Sequence, residues 1–224
     1  MSRAVILSKV RAALGTKPGV DATRRASVAA RLEAGADHPV PERGRVAGAD
    51  RVALFKSFLA AQATDVIELS DAAEIPQAIA EYLSAHGLGL RVRTGADPLW
   101  ASLPWREVRG LARDTGPADA ADTVGVSRAH AGVAETGTLM LASGPDNPTT
   151  LAFLPETHIV VLRRDAICPT YEEAVARVAG EIGPGALPHT LNLVTGASRT
   201  GDIGGRIVKG AHGPRRLAVI LLGA

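Results

Sequence analysis

His158-Ile159-Val160-Val161-Leu162 is an uncharged, β-branched run, and Thr170-Tyr171-Glu172-Glu173 follows a short distance downstream. The first stretch is short and apolar throughout, which suits a strand buried on both faces. The second sets Thr170 three residues ahead of Glu173, the spacing of a capping box. Val175, Val178 and Ile182 then recur at helical spacing. Residues 191–195 and 217–222 are again β-rich with few charges and read as buried strands. A strand, a capped helix and another strand is the unit from which parallel sheets are assembled.

The same alternation extends upstream. Residues 66–69 read as a strand, Pro76 opens a helix carrying Ile79 and Leu83, and Gly87 closes it. Residues 88–92 read as the next strand, and residues 97–103 as a short helix ended by Pro104. Residues 123–126, 138–141 and 151–153 are further strand candidates. The fold class expected is α/β, a largely parallel sheet flanked by helices over residues 50–224. Ahead of it, Ser2 caps a helix over residues 2–15, with Val5, Ile6, Val10 and Leu14 on one side. Residues 16–48 are rich in Ala, Arg, Gly and Pro and read as an arm with a short helix around residues 24–33. Residues 50–63 are amphipathic. The division expected is therefore 1–49, an N-terminal helix and basic arm, and 50–224, the α/β domain.

Composition narrows the function classes. The 224 residues are 46% hydrophobic, too apolar for a disordered chain. One cysteine, Cys168, excludes an intrachain disulfide, a four-thiolate zinc site and a cluster held by cysteines of this chain alone. No apolar run approaches the ~20 residues of a membrane span. Residues 1–7 lack a signal-peptide layout, because Lys9 and Arg11 interrupt the apolar stretch, so a cytoplasmic location is expected. The sequence pI is about 9.0 although the net charge is only +2. The excess lies in residues 1–50, where nine Lys/Arg face five Asp/Glu; the remainder is slightly acidic. The basic residues are dispersed and the first Trp is Trp100, so a nucleic-acid surface is not expected.

Three segments carry candidate chemistry. In Ala134-Glu135-Thr136-Gly137-Thr138-Leu139, a carboxylate precedes a strand across a glycine turn. Glu135 can serve there as nucleophile or general base, or else cap a helix or accept backbone N–H bonds. Thr136, Gly137 and Thr138 would line a ligand. In Pro155-Glu156-Thr157-His158-Ile159, His158 starts the buried strand. It is a second catalytic candidate if it meets Glu135, and otherwise a hydrogen-bonded core residue. The third segment, residues 195–205, follows a strand and precedes a possible helical turn. Its backbone N–H groups suit an anion nest, with Gly196, Ser198, Arg199, Thr200 and Asp202 as ligand-binding candidates. A glycine-rich connection is the competing reading. It matches neither a P-loop nor a dinucleotide fingerprint. His212, between glycines in Gly210-Ala211-His212-Gly213-Pro214, is the last ligand-binding candidate. His38, His86 and His189 lack partners at ligand spacing, so no metal site is expected. Cys168, next to Pro169 at a helix start, reads as inert.

Taken in order, Ala-Glu-Thr-Gly-Thr at 134–138, Pro-Glu-Thr-His-Ile at 155–159, Ser-Arg-Thr-Gly-Asp-Ile at 198–203 and Gly-Ala-His-Gly-Pro at 210–214 resemble the lactate utilization protein C family. This is the LUD domain, formerly a domain of unknown function. The resemblance is clearest over residues 120–224. It implies a fold similar to the sugar-phosphate isomerase, glucosamine-phosphate deaminase and CoA-transferase group. It also implies a cluster-free accessory role in oxidising L-lactate to pyruvate, with iron–sulfur clusters on partner proteins and none bound by this chain alone. The family's late loop runs Thr-Ala-Asp-Ile-Glu, whereas here Gly201 and Gly204 stand in Thr200-Gly201-Asp202-Ile203-Gly204. The alternative function is a stand-alone enzyme or binding protein for a small phosphorylated or CoA-linked anion, using Glu135 and the 196–204 loop.

Overall fold

The computed structural model describes residues 2–15, 18–34, 39–183, 186, 188–203 and 206–223. Side chains of residues 18–21, 34, 202, 203 and 206 fall outside the description as well. The chain forms two compact units, Met1–Val40 and Pro41–Ala224.

The first unit carries α1 (Arg3–Ala13) and α2 (Pro18–Ala34). Ser2 caps α1 as expected, its Oγ accepting from Val5 N at 3.4 Å. None of the α1 residues is buried. The arm expected over residues 16–48 is instead occupied by a 17-residue helix, far longer than the short one read around residues 24–33. Its Ala, Arg and Leu content carries helical propensity with little apolar periodicity, and Pro18 stands at its first position.

The second unit runs α3 (Gly48–Ala61), β1 (Asp65–Leu69), α4 (Ile75–Ala85), β2 (Arg91–Thr94), α5 (Pro98–Ser102), β3 (Ala112–Thr115), β4 (Val124–Arg128), β5 (Ala131–Val133), β6 (Thr138–Ala142), β7 (Thr157–Arg163), β8 (Ile167–Cys168), α6 (Tyr171–Ile182), β9 (Leu191–Val194), β10 (Arg199–Ile203), β11 (Arg206–Lys209) and β12 (Arg216–Leu222). Six strands form the main sheet in the order β1-β12-β7-β4-β2-β3, every neighbour parallel. β7 and β12 are adjacent interior strands. On one face Ile159, Val161, Ala218 and Ile220 pack with Ile79 and Leu83 of α4 and with Trp100 of α5. On the other, Val160, Leu162, Val219 and Leu221 pack with Phe55 and Leu59 of α3 and with Leu139 and Leu141 of β6. This two-sided burial explains why the central strands lack polar alternation.

A second sheet, β8-β5-β6-β9, lies against that latter face. Its outer side, with Ala131, Val133 and Met140, is covered by Ala174 and Val178 of α6. Alternate residues of β6 thus serve two cores, so its run Thr138-Leu139-Met140-Leu141-Ala142 is buried throughout. Among the described residues no helix is long and apolar enough to cross a membrane.

Three local expectations are corrected. Residues 151–153 do not form a strand; Thr149–Ala152 is a 3-10 turn and Phe153 is exposed. The strand read at 88–92 begins only at Arg91, because Leu88 N donates to Leu83 O and closes α4. Residues 191–194 form an edge strand of the second sheet rather than a buried one, with Leu193 exposed.

Candidate functional site

The turn joining β5 to β6 positions Glu135. Ala134 N donates to Cys168 O at 2.8 Å and Glu135 N to Pro169 O at 3.2 Å, tying the turn to the residues ahead of α6. Gly137, at φ +70°, closes it. A Cβ there would lie 2.7 Å from Phe58 Cβ, so the glycine permits close approach to α3. The Glu135 side chain is 4% exposed and runs over the start of α6. Its Oε1 accepts from Tyr171 N at 3.4 Å, a carboxylate facing the positive end of a helix. Oε2 is enclosed and finds no partner among the described residues. The helix-cap reading therefore holds for one oxygen, and the other is an acceptor without a donor.

Thr136 and Thr138 join Tyr171 and Thr195 in a hydroxyl cluster. Thr136 Oγ1 meets Thr138 Oγ1 at 2.8 Å and donates to Tyr171 Oη at 3.0 Å. Thr138 Oγ1 also meets Tyr171 Oη at 2.8 Å and Thr195 Oγ1 at 2.7 Å. Four hydroxyl protons can satisfy these four contacts, so the cluster is self-sufficient. It clasps the β5–β6 turn, α6 and the end of β9 together. Thr138, fully buried, is its hub. Thr138→Val is expected to cost about 2 kcal/mol and Tyr171→Phe about 1 kcal/mol, read as shifts in the urea midpoint. Equal losses would show that the contacts do not converge on Thr138.

From Thr195 the chain turns onto the last turn of α3. Gly196 has φ +80°, and a Cβ there would lie 2.9 Å from Gln62 Cβ. Arg199 Nη2 donates to Gln62 O at 2.7 Å, a cation at a helix C-terminus, so that guanidinium is held by the fold. The helical turn expected after this loop is absent: β10 and β11 form a hairpin, with Thr200 opposite Val208. The Asp202 side chain and residues 204–205 lie outside the described residues.

Ser198 is the link to the His212 segment. Its N–H donates to Pro214 O at 2.8 Å, and Gly210 N donates to Ser198 O at 2.9 Å. Beside it opens a cleft of about 520 Å³, lined by residues 153–156 and 209–213 with Arg215. Lys209, His212 and Arg215 face it together with Glu156, which lies 3.7 Å from Arg215 Nη1. Two of the segments singled out in the sequence thus converge. Arg215 N and Arg216 N both donate to Glu156 O, placing the cleft at the amino ends of β7 and β12. Ligands of open parallel sheets more often sit beyond the carboxyl ends.

His158 does not reach that cleft. It is fully buried on the α3 side of β7, with Nε2 3.0 Å from Ser127 Oγ. Nδ1 has no partner among the described residues. Burial pushes its pKa down to about 4, so the ring is neutral near pH 7. It shares no hydrogen bond with Glu135. Burial pushes the Cys168 thiol up, in keeping with an inert side chain. Among the described residues no group of three His, Cys, Asp or Glu side chains could hold a metal ion.

Tyr171, Thr195, Lys209 and Arg215 were not among the expected site residues. Tyr171 carries no signal beyond its place at a helix start, and the two cations become site residues only when the hairpin brings Lys209 back beside Glu156.

A family model described as the LUD domain matches residues 112–222. A Geobacillus thermodenitrificans protein named Lactate utilization protein C is 30% identical over 179 residues, covering 71% of this chain and 72% of the relative. A Deinococcus radiodurans protein of the same name is 37% identical over 159 residues, covering 68% and 70%. The crystal structure of a DUF162 family protein from Deinococcus radiodurans superposes with a TM-score of 0.61 at 28% identity. It spans 80% of this chain and 99% of that one.

Proposed function

The chain belongs to the LUD-domain family, and on that premise we propose that it acts in lactate utilization, as a cluster-free accessory subunit in the oxidation of L-lactate to pyruvate. The observation that carries the role is the similarity, over about 70% of their length, to relatives named Lactate utilization protein C. The oxidation releases two electrons and two protons. With Cys168 its sole cysteine, this chain lacks the thiolates for a cluster of its own, so iron–sulfur partner proteins take the electrons. The part assigned to this chain is to hold a small carboxylate in the cleft beside Ser198. Lys209 and Arg215 supply charge there, and His212 a ring donor.

One observation favours a second reading. The enclosed, unpartnered Oε2 of Glu135 supports acid–base chemistry by the isolated chain on a small phosphorylated or CoA-linked anion.

Growth on L-lactate tests the first reading. A strain lacking this chain is expected to stop growing on L-lactate and to recover with the wild-type gene. A Lys209→Gln/Arg215→Gln variant of unchanged urea midpoint should restore growth several-fold less well. Anaerobic pull-down from lactate-grown cells should recover iron–sulfur proteins. Normal growth of the deletion strain on L-lactate, or a pull-down free of such proteins, would overturn the accessory role. Turnover of a phosphorylated or CoA-linked compound by the purified chain, lost in Glu135→Gln, would put the second reading in its place.

A further inference from the structure

The carboxyl rim of the main sheet holds a second cleft, remote in the fold from the one beside Ser198. Arg163 ends β7, and the 3-10 turn Arg164–Ala166 follows it. The start of α3 lies alongside, because Lys56 of α3 and Arg164 both donate to Glu68 near the end of β1. Between them opens a space of about 510 Å³ lined by Arg51, Lys56, Arg164 and Asp165 and by small apolar residues at the start of α3.

The charges in this space do not cancel. Glu68 serves both Lys56 and Arg164. Asp165 is occupied by Arg163, which holds it with two hydrogen bonds at 3.0 and 2.8 Å. Arg51 has no carboxylate partner among the described residues. The three cations facing the cleft thus retain a surplus of two positive charges over Glu68. The Nε atoms of Arg51 and Arg164 are both enclosed and both lack an acceptor. A buried donor without an acceptor is a standing cost that an incoming oxyanion can relieve as the guanidinium turns to it. Guanidinium forks match the oxygens of phosphate.

Arg164 also borders a neighbouring cleft of about 550 Å³, lined by Ser70, Asp71 and Gly223 beyond the ends of β1 and β12. That is the rim where ligands of open parallel sheets commonly sit. A phosphate group in the first space would leave the second for the molecule esterified to it. The geometry points to a binding site for a small phosphate monoester, its near-dianionic head held among Arg51, Lys56 and Arg164. The surplus of two charges matches the roughly −1.5 to −2 that a phosphate monoester carries at pH 7.

Calorimetric titration of the purified full chain with glycerol 3-phosphate and with inorganic phosphate tests this, at constant ionic strength in chloride. Saturable binding is expected for both, tighter for the ester. Arg51→Gln should weaken it about tenfold, the loss of one charge-assisted contact. Lys56→Gln is a second variant at a half-exposed position, and it should weaken binding in the same direction. Arg91→Gln, at the exposed amino end of β2, should leave it unchanged, Lys209→Gln reports on the other cleft, and the urea midpoint of each variant certifies the fold. Absence of saturable binding overturns the assignment. So does binding that survives both Arg51→Gln and Lys56→Gln, or binding lost only in Lys209→Gln.

Discussion

Phe55→Ala is expected to lower the stability of residues 41–224 by about 3–5 kcal/mol, the usual cost of emptying a fully buried aromatic site. With a urea dependence of about 1–3 kcal/mol/M, the midpoint should fall by roughly 2 M. The ring is 0% exposed and sits where collapse cannot refill the space. A Cβ on Gly132 would lie 3.1 Å from the Phe55 ring, so β5 lies against the ring with no room for a side chain between them. The same helix carries Phe58 against Gly137 and Gln62 against Gly196 and Arg199. Loosening α3 therefore loosens the Glu135 turn and the Ser198 segment together. Limited proteolysis should show earlier cleavage near residues 195–199 in the variant. A loss below about 1 kcal/mol would mean that α3 is not packed as described.

That dependence on α3 also explains what could be read from the chain alone. The central strands were legible because burial on both faces leaves no room for polar residues, and residues 158–162 and 217–222 show it directly. Helices with caps were legible for a local reason: Ser2, Pro76 and Thr170 each mark a start within a few residues. In the second sheet β6 and β9 were legible as strands, but β5 and β8 were not. β5 is three residues long and β8 two, and neither has a periodicity to detect. They form strands because the β5–β6 turn and the chain ahead of α6 exchange backbone hydrogen bonds. The glycines were read for their freedom, yet Gly137 and Gly196 are needed for close contact with α3, a long-range demand that leaves no local mark. The same holds for the candidate site. Glu135 stood out as a carboxylate beside a strand, but its division between a capping oxygen and an unpartnered one depends on Tyr171, thirty-six residues away. Arg199 looked like an anion ligand because arginine in a glycine-rich loop often is one. In the fold its Nη2 also donates to the carbonyl at the end of α3, a contact no local pattern announces.

His158 was read either as a catalytic candidate or as a hydrogen-bonded core residue, and its titration distinguishes the two. In the unfolded chain it takes up a proton near its ordinary pKa of 6.5; in the fold it resists until about pH 4. The unfolded state therefore binds more protons between those values, and stability must rise with pH. The contribution is complete above pH 6.5 and is lost as pH falls toward 4. Its full size is about 3 kcal/mol, at about 1.4 kcal/mol for each pH unit. His130, whose pKa burial also lowers, acts in the same direction. The carboxylates of Asp122 and Asp165 are held below their ordinary value of 3.8, so their loss falls below this window. Unfolding free energies from urea titrations at pH 7.5 and pH 5 should thus differ by about 2 kcal/mol more in the wild type than in His158→Gln. The variant itself is less stable at pH 7.5, because Ser127 loses its imidazole partner, but that loss does not depend on pH and cancels from the difference. A general base working near neutrality needs a pKa close to the operating pH. A histidine of that kind would contribute almost nothing to the pH dependence between 7.5 and 5, and an unchanged difference in His158→Gln would favour it. A shrinkage of about 2 kcal/mol would instead establish an imidazole kept neutral by enclosure, with Ser127 as its partner and the sheet core as its surroundings.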